Sequence, residues 1–167
     1  MFDAEQLRER VIRPTLVTIG LHSQAAEDLV AGTCAQESRM GTYLVQIRGP
    51  ALGIFQMEPA THDDIWDHYL RHRSADVATL RGLVGAIWWD VDKGRPRAQA
   101  LVVDLAYATA MCRYHYRRRP EPLPKAGDWY ALAAYWKRHY NTMAGKGSEG
   151  HFLDACERCG LTGAVGE

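Results

Sequence analysis

Glu37 is the residue of this sequence whose type and surroundings are best suited to acid–base chemistry. It falls on the inward face of a predicted helix, where small and apolar residues precede it at helical spacing: Ala26, Leu29, Val30, Thr33 and Cys34. The nearest basic residue, Arg39, would point elsewhere on that helix, so burial is expected to raise the pKa of the Glu37 carboxyl. A carboxyl with a raised pKa is what a glycosidase needs as its general acid. The alternative is a helix-end carboxylate that points into water, because Gly41 lies close enough to end the helix.

Three short blocks follow one another along the chain in an order found in one enzyme family. They are Glu37-Ser38, then a segment with Gly49, Gly53, Gln56-Met57, Pro59 and Thr61, and far downstream Tyr140-Asn141. With these motifs the chain resembles the lytic transglycosylases (SLT type) of the lysozyme-like superfamily, as a divergent, phage-type member. The resemblance implies a mainly α, lysozyme-like single domain with a long central helix and at most a short β-hairpin. We expect no cofactor and no metal ion.

The resemblance implies that Glu37 is the catalytic residue. It would protonate the oxygen of the β-1,4 bond between N-acetylmuramic acid and N-acetylglucosamine, then act as base on the muramyl 6-hydroxyl to give a 1,6-anhydro product. The alternative is a hydrolytic lysozyme or a chitinase-like hydrolase, and an inverting hydrolase would need a second carboxylate across the cleft. Four acidic residues are candidates for that carboxylate, but none of them is clearly indicated by the sequence: Glu58, Asp63, Asp64 and Asp90. The one-carboxylate route of a lytic transglycosylase is therefore favoured.

Three substrate-binding roles in the first part of the chain also come from the resemblance. Ser38 would hydrogen-bond near the Glu37 carboxyl or the substrate. Gln56 would line the cleft and bind an N-acetyl or peptide group, with Met57 packed beneath it.

The third block would complete the site from a later helix. The resemblance implies that Tyr140 orients Glu37 through its hydroxyl and that Asn141 contacts the sugar. The alternatives are a core aromatic for Tyr140 and a helix C-cap for Asn141. The family continues with Ala-Gly at this point, whereas here a longer loop over residues 142–147 is predicted.

Length and composition indicate one globular domain. The 167 residues suffice for one buried core, and 47% hydrophobic and 24% charged residues exclude a disordered chain. We divide the predicted domain into an N-terminal helix or extension (1–22), a catalytic core (23–147) and a C-terminal helix (148–167). The 20 basic and 20 acidic residues give zero net charge, which argues against nucleic acid as a partner.

The first residues are charged rather than signal-like, and no apolar run is long enough to span a membrane. We therefore expect a protein made in a host cytoplasm that acts on peptidoglycan glycan strands and not on membranes. It would be released at lysis or carried in a virion, which makes lysis proteins or a phage particle candidate partners.

The four cysteines give little support for a metal or redox site. Cys34 and Cys112 lie in apolar helical stretches, where a free cysteine is usually a small core residue. Cys156 and Cys159 form one C-x-x-C with His151 upstream, and a single such pair is weak evidence for zinc. The favoured interpretation is a helical segment with two thiols.

Helix signals position these residues along the chain. Asp3 would cap a short helix to Val11 that Pro14 ends, and Ser23 would cap the helix that carries Glu37. Glu27 and Asp28, in the first turn of that helix, would complement its dipole. Further helices are predicted over residues 62–71, 76–84, 97–117, 129–140 and 151–159, with a turn at 93–96 and Asp128 as a cap.

Two functions from other classes stay open. One is a non-catalytic lysozyme-like structural protein, against which the presence of Glu37 counts. The other is a nucleic-acid-binding helical module that uses Arg113 to Arg119 with Tyr114 and Tyr116. That basic run is more typical of a solvated helix end that complements the dipole.

Overall fold

The computed structural model describes residues 1–141 and 147–162. Within this part the chain is mainly helical, as predicted, and its sheet is one antiparallel pair in which Trp89 faces Pro96. In chain order the elements are α1 (Ala4–Leu7), α2 (Arg13–Thr18), α3 (Gln24–Ser38), α4 (Pro59–His68), α5 (Ser74–Leu83), β1 (Trp89–Asp90), β2 (Arg95–Pro96), α6 (Ala100–Val103), α7 (Leu105–Arg117), α8 (Trp129–Trp136) and α9 (Glu149–Arg158). Two π-helical turns lie at Arg8–Ile12 and Lys137–Asn141, and two 3₁₀ turns at Leu70–His72 and Ala86–Trp88. No helix in the described ranges is long and apolar enough to cross a membrane.

Helix α3 runs through the core and is surrounded by the N-terminal segment, α7, α8 and α9. As predicted, the Ser23 hydroxyl caps it by accepting a hydrogen bond from the Ala26 amide at 3.1 Å. Gly32 lets α9 approach closely, because a Cβ there would lie only 2.4 Å from Cζ of Phe152. Cys34 and Cys112 are buried free thiols, as the sequence indicates.

The N-terminal helix does not end before Pro14, which corrects the sequence-based expectation. Asp3 caps the helix as predicted, but α1 continues through the π turn Arg8–Ile12 directly into α2. Proline lacks an amide hydrogen and its ring clashes with the carbonyl four residues earlier in an α-helix. A wider π turn just before Pro14 relieves that conflict and keeps the segment helical.

Glu27 lies in the first turn of α3, as predicted, and the structure adds that both Glu27 and Asp28 are buried in the core. The Glu27 side chain is fully buried and contacts Arg8 at 3.2 Å, Arg13 at 2.9 Å and His22 at 3.2 Å. Asp28 pairs with Arg8 at 2.8 Å. The N-terminal helical segment packs across the start of α3, so its arginines meet these two carboxylates.

The single long helix predicted over residues 97–117 is wrong. The chain leaves helical geometry at Asp104, where φ is −119° and ψ is 102°, and this residue separates α6 from α7. The Asp104 carboxylate caps α7 by accepting from the Tyr107 amide at 2.9 Å. An aspartate between two apolar turns serves equally well on a helix surface or as a cap, and the periodicity alone does not distinguish the two.

Gly53, in the Gly-rich loop, packs directly against the backbone of α6. Its φ is +73°, and a Cβ there would lie 2.1 Å from the backbone oxygen of Leu101. We expect Gly53→Ala to lower the free energy of unfolding by roughly 2–4 kcal/mol, because left-handed strain and a backbone clash add together. Gly20→Ala is the matched control, since Gly20 has a φ of +67° but no atom within 4 Å of the added Cβ. Equal losses for the two variants in urea unfolding would show that the contact with Leu101 is unimportant.

Candidate active site

A cleft of about 620 Å³ opens beside the end of α3. Residues from α3, the Gly-rich loop, the start of α4, α7, and the end of α8 with its π turn surround it. Its lining is mainly amide, carboxylate and ring side chains: Gln36, Glu37, Gln46, Gln56, Glu58, His115, Trp136, Tyr140 and Asn141, with Met57 and Thr61 beside them. No lysine or arginine lines the cleft in the described part of the chain, so its only charged groups there are carboxylates.

Glu37 lies half-buried in this cleft, and its Oε1 accepts a hydrogen bond from Nε1 of Trp136 at 2.9 Å. Burial raises the pKa of the Glu37 carboxyl to about 7, and the hydrogen bond from Trp136 opposes that rise without cancelling it. No cation is paired with the carboxyl in the described structure. The pKa direction expected from the sequence is confirmed, and Glu37 can hold a proton near neutral pH.

Ser38 lies next to Glu37 in sequence but does not line the cleft. It is fully buried, and its hydroxyl donates to the Ile54 carbonyl at 2.6 Å and accepts from the Gly41 amide at 2.8 Å. The expected hydrogen bond near the Glu37 carboxyl is absent from the described contacts. Ser38 instead ties the end of α3 to the Gly-rich loop, which places that loop beside Glu37.

Gln56 and Met57 both line the cleft, where the sequence places them. Gln56 has a φ of +45°, and its Nε2 donates to the Gly53 carbonyl at 2.8 Å. That bond stabilises the unusual backbone turn from within the loop. Met57 is 3% exposed and pairs with Leu52 through two backbone hydrogen bonds, so it forms part of the apolar wall.

Tyr140 and Asn141 also line the cleft, and the π turn Lys137–Asn141 carries both. The expectation that the Tyr140 hydroxyl orients Glu37 is wrong, because that hydroxyl donates to the Phe55 carbonyl at 2.7 Å. Trp136 is the residue that holds the Glu37 carboxyl. Tyr140 thus connects α8 to the Gly-rich loop, and the loop at 142–146 lies outside the described residues.

His115 was not identified from the sequence, although it lines the cleft and supports the π turn. Its Nε2 donates to the His139 carbonyl at 2.9 Å, and its ring meets that of Tyr140 edge-on at 4.7 Å. Burial, and then the charge of Arg118, lower the pKa of His115 to about 3, so the ring is neutral at physiological pH. The residues around His115 in the sequence do not indicate that its hydrogen-bond partner is the carbonyl of His139, which lies 24 residues later.

Glu58 is the second carboxylate of the cleft. The resemblance to lytic transglycosylases assigns no catalytic role to this position. Its side chain is exposed and has no ion-pair partner among the described residues. The other acidic candidates are engaged elsewhere: Asp63 with His62 and Arg95, Asp64 with Arg118 and His68, and Asp90 with the Lys93 amide. Only Glu58 among the four faces the same cleft as Glu37.

We expect Trp136→Phe to change the pH profile of any reaction that depends on protonated Glu37. Loss of the Nε1 donor raises the pKa of Glu37 further, so the fall in activity at high pH should move upward by up to about one pH unit. Activity at pH 6 should fall about tenfold, because the carboxyl loses the group that orients it. Trp66→Phe is the matched control, since it removes a buried indole donor that contacts Tyr107 away from the cleft. A downward movement, or an equal one in the control, would contradict this role of Trp136.

No family model, no curated protein and no solved structure matches this chain.

Proposed function

We propose that this protein is a glycosidase that cleaves the β-1,4 bond between N-acetylmuramic acid and N-acetylglucosamine in peptidoglycan, with Glu37 as the acid. The observation that carries the proposal is a carboxyl with a pKa of about 7 that lies in an open cleft. The sequence motifs of a lytic transglycosylase support the same assignment. A lysozyme-like arrangement of the helices is part of this proposal.

The cleft also has groups suited to an amino-sugar polymer. Amide side chains can both donate to and accept from an N-acetyl group, and four lie along the cleft: Gln36, Gln46, Gln56 and Asn141. The absence of a lysine or arginine from the described lining favours a substrate without free phosphates or carboxylates at the cleavage point. Glycan strands of the cell wall, reached at lysis or from a phage particle, are the proposed partner.

The favoured reaction is the transglycosylase route, which needs one carboxyl. Protonated Glu37 donates its proton to the glycosidic oxygen as the bond from that oxygen to muramyl C1 breaks. The resulting carboxylate accepts the proton of the muramyl 6-hydroxyl as its oxygen bonds to C1. The products are a 1,6-anhydro-muramyl end and a free N-acetylglucosamine 4-hydroxyl, and Glu37 is protonated again.

Mass spectrometry of the soluble products from purified peptidoglycan tests this reaction. The wild-type protein should release anhydro-muramyl fragments, and Glu37→Gln should release them about 10³-fold more slowly. Glu157→Gln, which removes an exposed carboxylate on α9, should behave as the wild type does. If neither the wild type nor the control releases fragments, the non-catalytic structural alternative replaces this proposal.

Hydrolysis is the second candidate reaction, and the position of Glu58 is the observation that favours it. Inverting glycosidases use a second carboxylate across the cleft to activate water, and Glu58 lines the same cleft as Glu37. If hydrolysis is the reaction, Glu58→Gln should lower the rate at least about 100-fold and the wild-type products should carry reducing ends. If transglycosylation is the reaction, Glu58→Gln should change the rate by less than about threefold. Reduction of the products with borohydride before mass spectrometry distinguishes the two kinds of end.

A further inference from the structure

A second pocket, of about 200 Å³, lies where α7 ends and shares no lining residue with the cleft. Three arginines line it, and we call it the arginine pocket: Arg113, Arg117 and Arg119, with Tyr116 and Tyr135. Its remaining wall is the proline-rich segment at residues 120–123. These arginines belong to the basic run that the proposed glycosidase reaction does not use.

Arg113 is the residue of this pocket that needs an explanation. It is 8% exposed, and among the described residues its side chain forms one hydrogen bond, from Nε to the Leu21 carbonyl at 3.5 Å. No carboxylate forms an ion pair with it in the described part of the chain. Burial and the neighbouring charge of Arg117 lower the pKa of Arg113, which shows that its surroundings disfavour the cation. A buried guanidinium without an anion is costly, and proteins normally pair such a group.

Arg117 and Arg119 add to this uncompensated positive charge. Arg117 follows Arg113 by four residues and therefore lies on the same face of α7. The Nε of Arg119 is buried and has no hydrogen-bond partner among the described residues. Glu121 is the single carboxylate of the lining, and it approaches His139 at 3.8 Å and none of the three arginines within ion-pair distance.

Other arginines of the protein show the contrast. Arg8 and Arg13 meet Glu27, Arg95 meets Asp63 and Asp67, and Arg118 meets Asp64. The arginine pocket is therefore not explained by a general shortage of acidic residues near α7. Three arginines and one carboxylate residue, Glu121, line this small space in the described structure, so its lining carries an excess of two positive charges.

We propose that the arginine pocket binds a phosphate group, either as free inorganic phosphate or as the end of a small phosphate monoester. Guanidinium groups present paired donors that match the oxygens of phosphate, and the dianion balances the excess charge of the lining. The volume accommodates one small anion and not a nucleic-acid duplex. The site is separate from the cleft, so it can be tested without any assay of glycan cleavage.

Isothermal titration calorimetry of the full chain with sodium phosphate, at constant ionic strength in chloride buffer, tests the proposal. The wild type should give saturable binding, Arg117→Gln should weaken it about tenfold, and Arg113→Gln should abolish it. Arg10→Gln, which removes an exposed arginine of the N-terminal segment, should bind as the wild type does. Absence of saturable binding by the wild type, or equal affinities in all four proteins, would overturn the proposal.

Thermal unfolding gives a second readout that does not depend on measured heats. Because Arg113 is a buried cation without an anion, Arg113→Gln should unfold at a higher temperature than the wild type in chloride alone. Added phosphate should raise the midpoint of the wild type and leave that of the variant unchanged. If Arg113→Gln unfolds at a lower temperature than the wild type in chloride, and phosphate raises both midpoints equally, the arginine pocket does not bind an anion.

The source of the phosphate group is decided with two further ligands. Tighter binding of glucose 6-phosphate than of inorganic phosphate supports a monoester, and equal binding supports the free anion. Binding of a DNA duplex that Arg117→Gln abolishes, with no saturation by inorganic phosphate, would overturn the small-anion proposal in favour of a nucleic-acid backbone.

Discussion

Glu37→Gln is expected to lower peptidoglycan cleavage by about 10³-fold at pH 6, because the amide can neither donate the proton to the glycosidic oxygen nor accept one afterwards. The substitution keeps an oxygen that can accept from Nε1 of Trp136, so the cleft should retain its shape. In the wild type the rate should fall as the pH rises through about 7, since only the protonated carboxyl is the acid. Release of soluble fragments over pH 5–9 measures both effects. A wild-type rate that rises between pH 7 and pH 9 would contradict the role of Glu37 as acid.

The same substitution should stabilise the protein at high pH, which separates the pKa of Glu37 from its catalytic role. The pKa of Glu37 is about 7 in the folded protein and 4.5 as an ordinary value, so between these pH values the folded state binds more protons than the unfolded state. The free energy of unfolding of the wild type therefore falls across that window, and the glutamine variant escapes the loss. At pH 8 we expect Glu37→Gln to be more stable by about 3 kcal/mol, and at pH 4 to equal the wild type.

Urea unfolding at the two pH values measures this difference, and Glu157→Gln is again the control because its carboxyl is exposed. If the stabilities of Glu37→Gln and the wild type run parallel with pH, burial does not raise the pKa of Glu37. A loss of activity without the stability gain would then assign Glu37 a catalytic role other than that of a proton donor.

Glu27→Ala is expected to cause the largest loss of stability, about 3–5 kcal/mol, because it removes the buried carboxylate that Arg8 and Arg13 share and leaves them only Asp28 and the exposed Glu9. The midpoint of thermal unfolding should fall by roughly 10 °C for a chain of this length. Glu9→Ala is the matched control, since the Glu9 carboxylate meets Arg13 at 3.8 Å but is 40% exposed. Its loss should stay below about 0.5 kcal/mol. Equal losses for Glu27→Ala and Glu9→Ala would show that the buried ion pairs contribute no more than surface pairs.

The pH dependence of this network has the opposite sign to that of Glu37. Burial raises the pKa of Glu27, but the hydrogen bonds of Arg13 and His22 and the charges of both arginines outweigh it, so the pKa is lowered overall. The stability that Glu27 contributes is present above its ordinary pKa of 4.5 and is lost as the pH falls through the lowered value. The difference between Glu27→Ala and the wild type should therefore shrink in acid.

Local chemistry accounts for the features that the sequence predicted well. Asp3, Ser23 and Asp128 each cap the helix expected of them, because a capping side chain bonds an amide two or three residues away. Cys34 and Glu37 lie on the inward side of α3, since a helix places residues three or four apart on one face. Such interactions depend on short stretches of chain, so they can be predicted without knowledge of the tertiary structure.

Errors arose where periodicity does not report a break or a widened turn, and where a distant segment decides a contact. The break at Asp104, which caps α7, and the π turns at Arg8–Ile12 and Lys137–Asn141 were not predicted from periodicity. The hydroxyl of Tyr140 goes to Phe55 and not to Glu37, which depends on where the Gly-rich loop lies. Motif order therefore predicted which residues line the cleft better than it predicted their contacts.

The sequence by itself determined that the chain is mainly helical, that Glu37 lies at the inward end of α3, and that Gln56, Met57, Tyr140 and Asn141 accompany it. Only the tertiary structure decided which group holds its carboxyl and which second carboxylate shares the cleft. Trp136 lies 99 residues beyond Glu37, and Glu58 lines the cleft from the position before α4. The physical reason is that a pKa and a hydrogen bond depend on atoms in contact, and these atoms meet only when helices distant in sequence pack together.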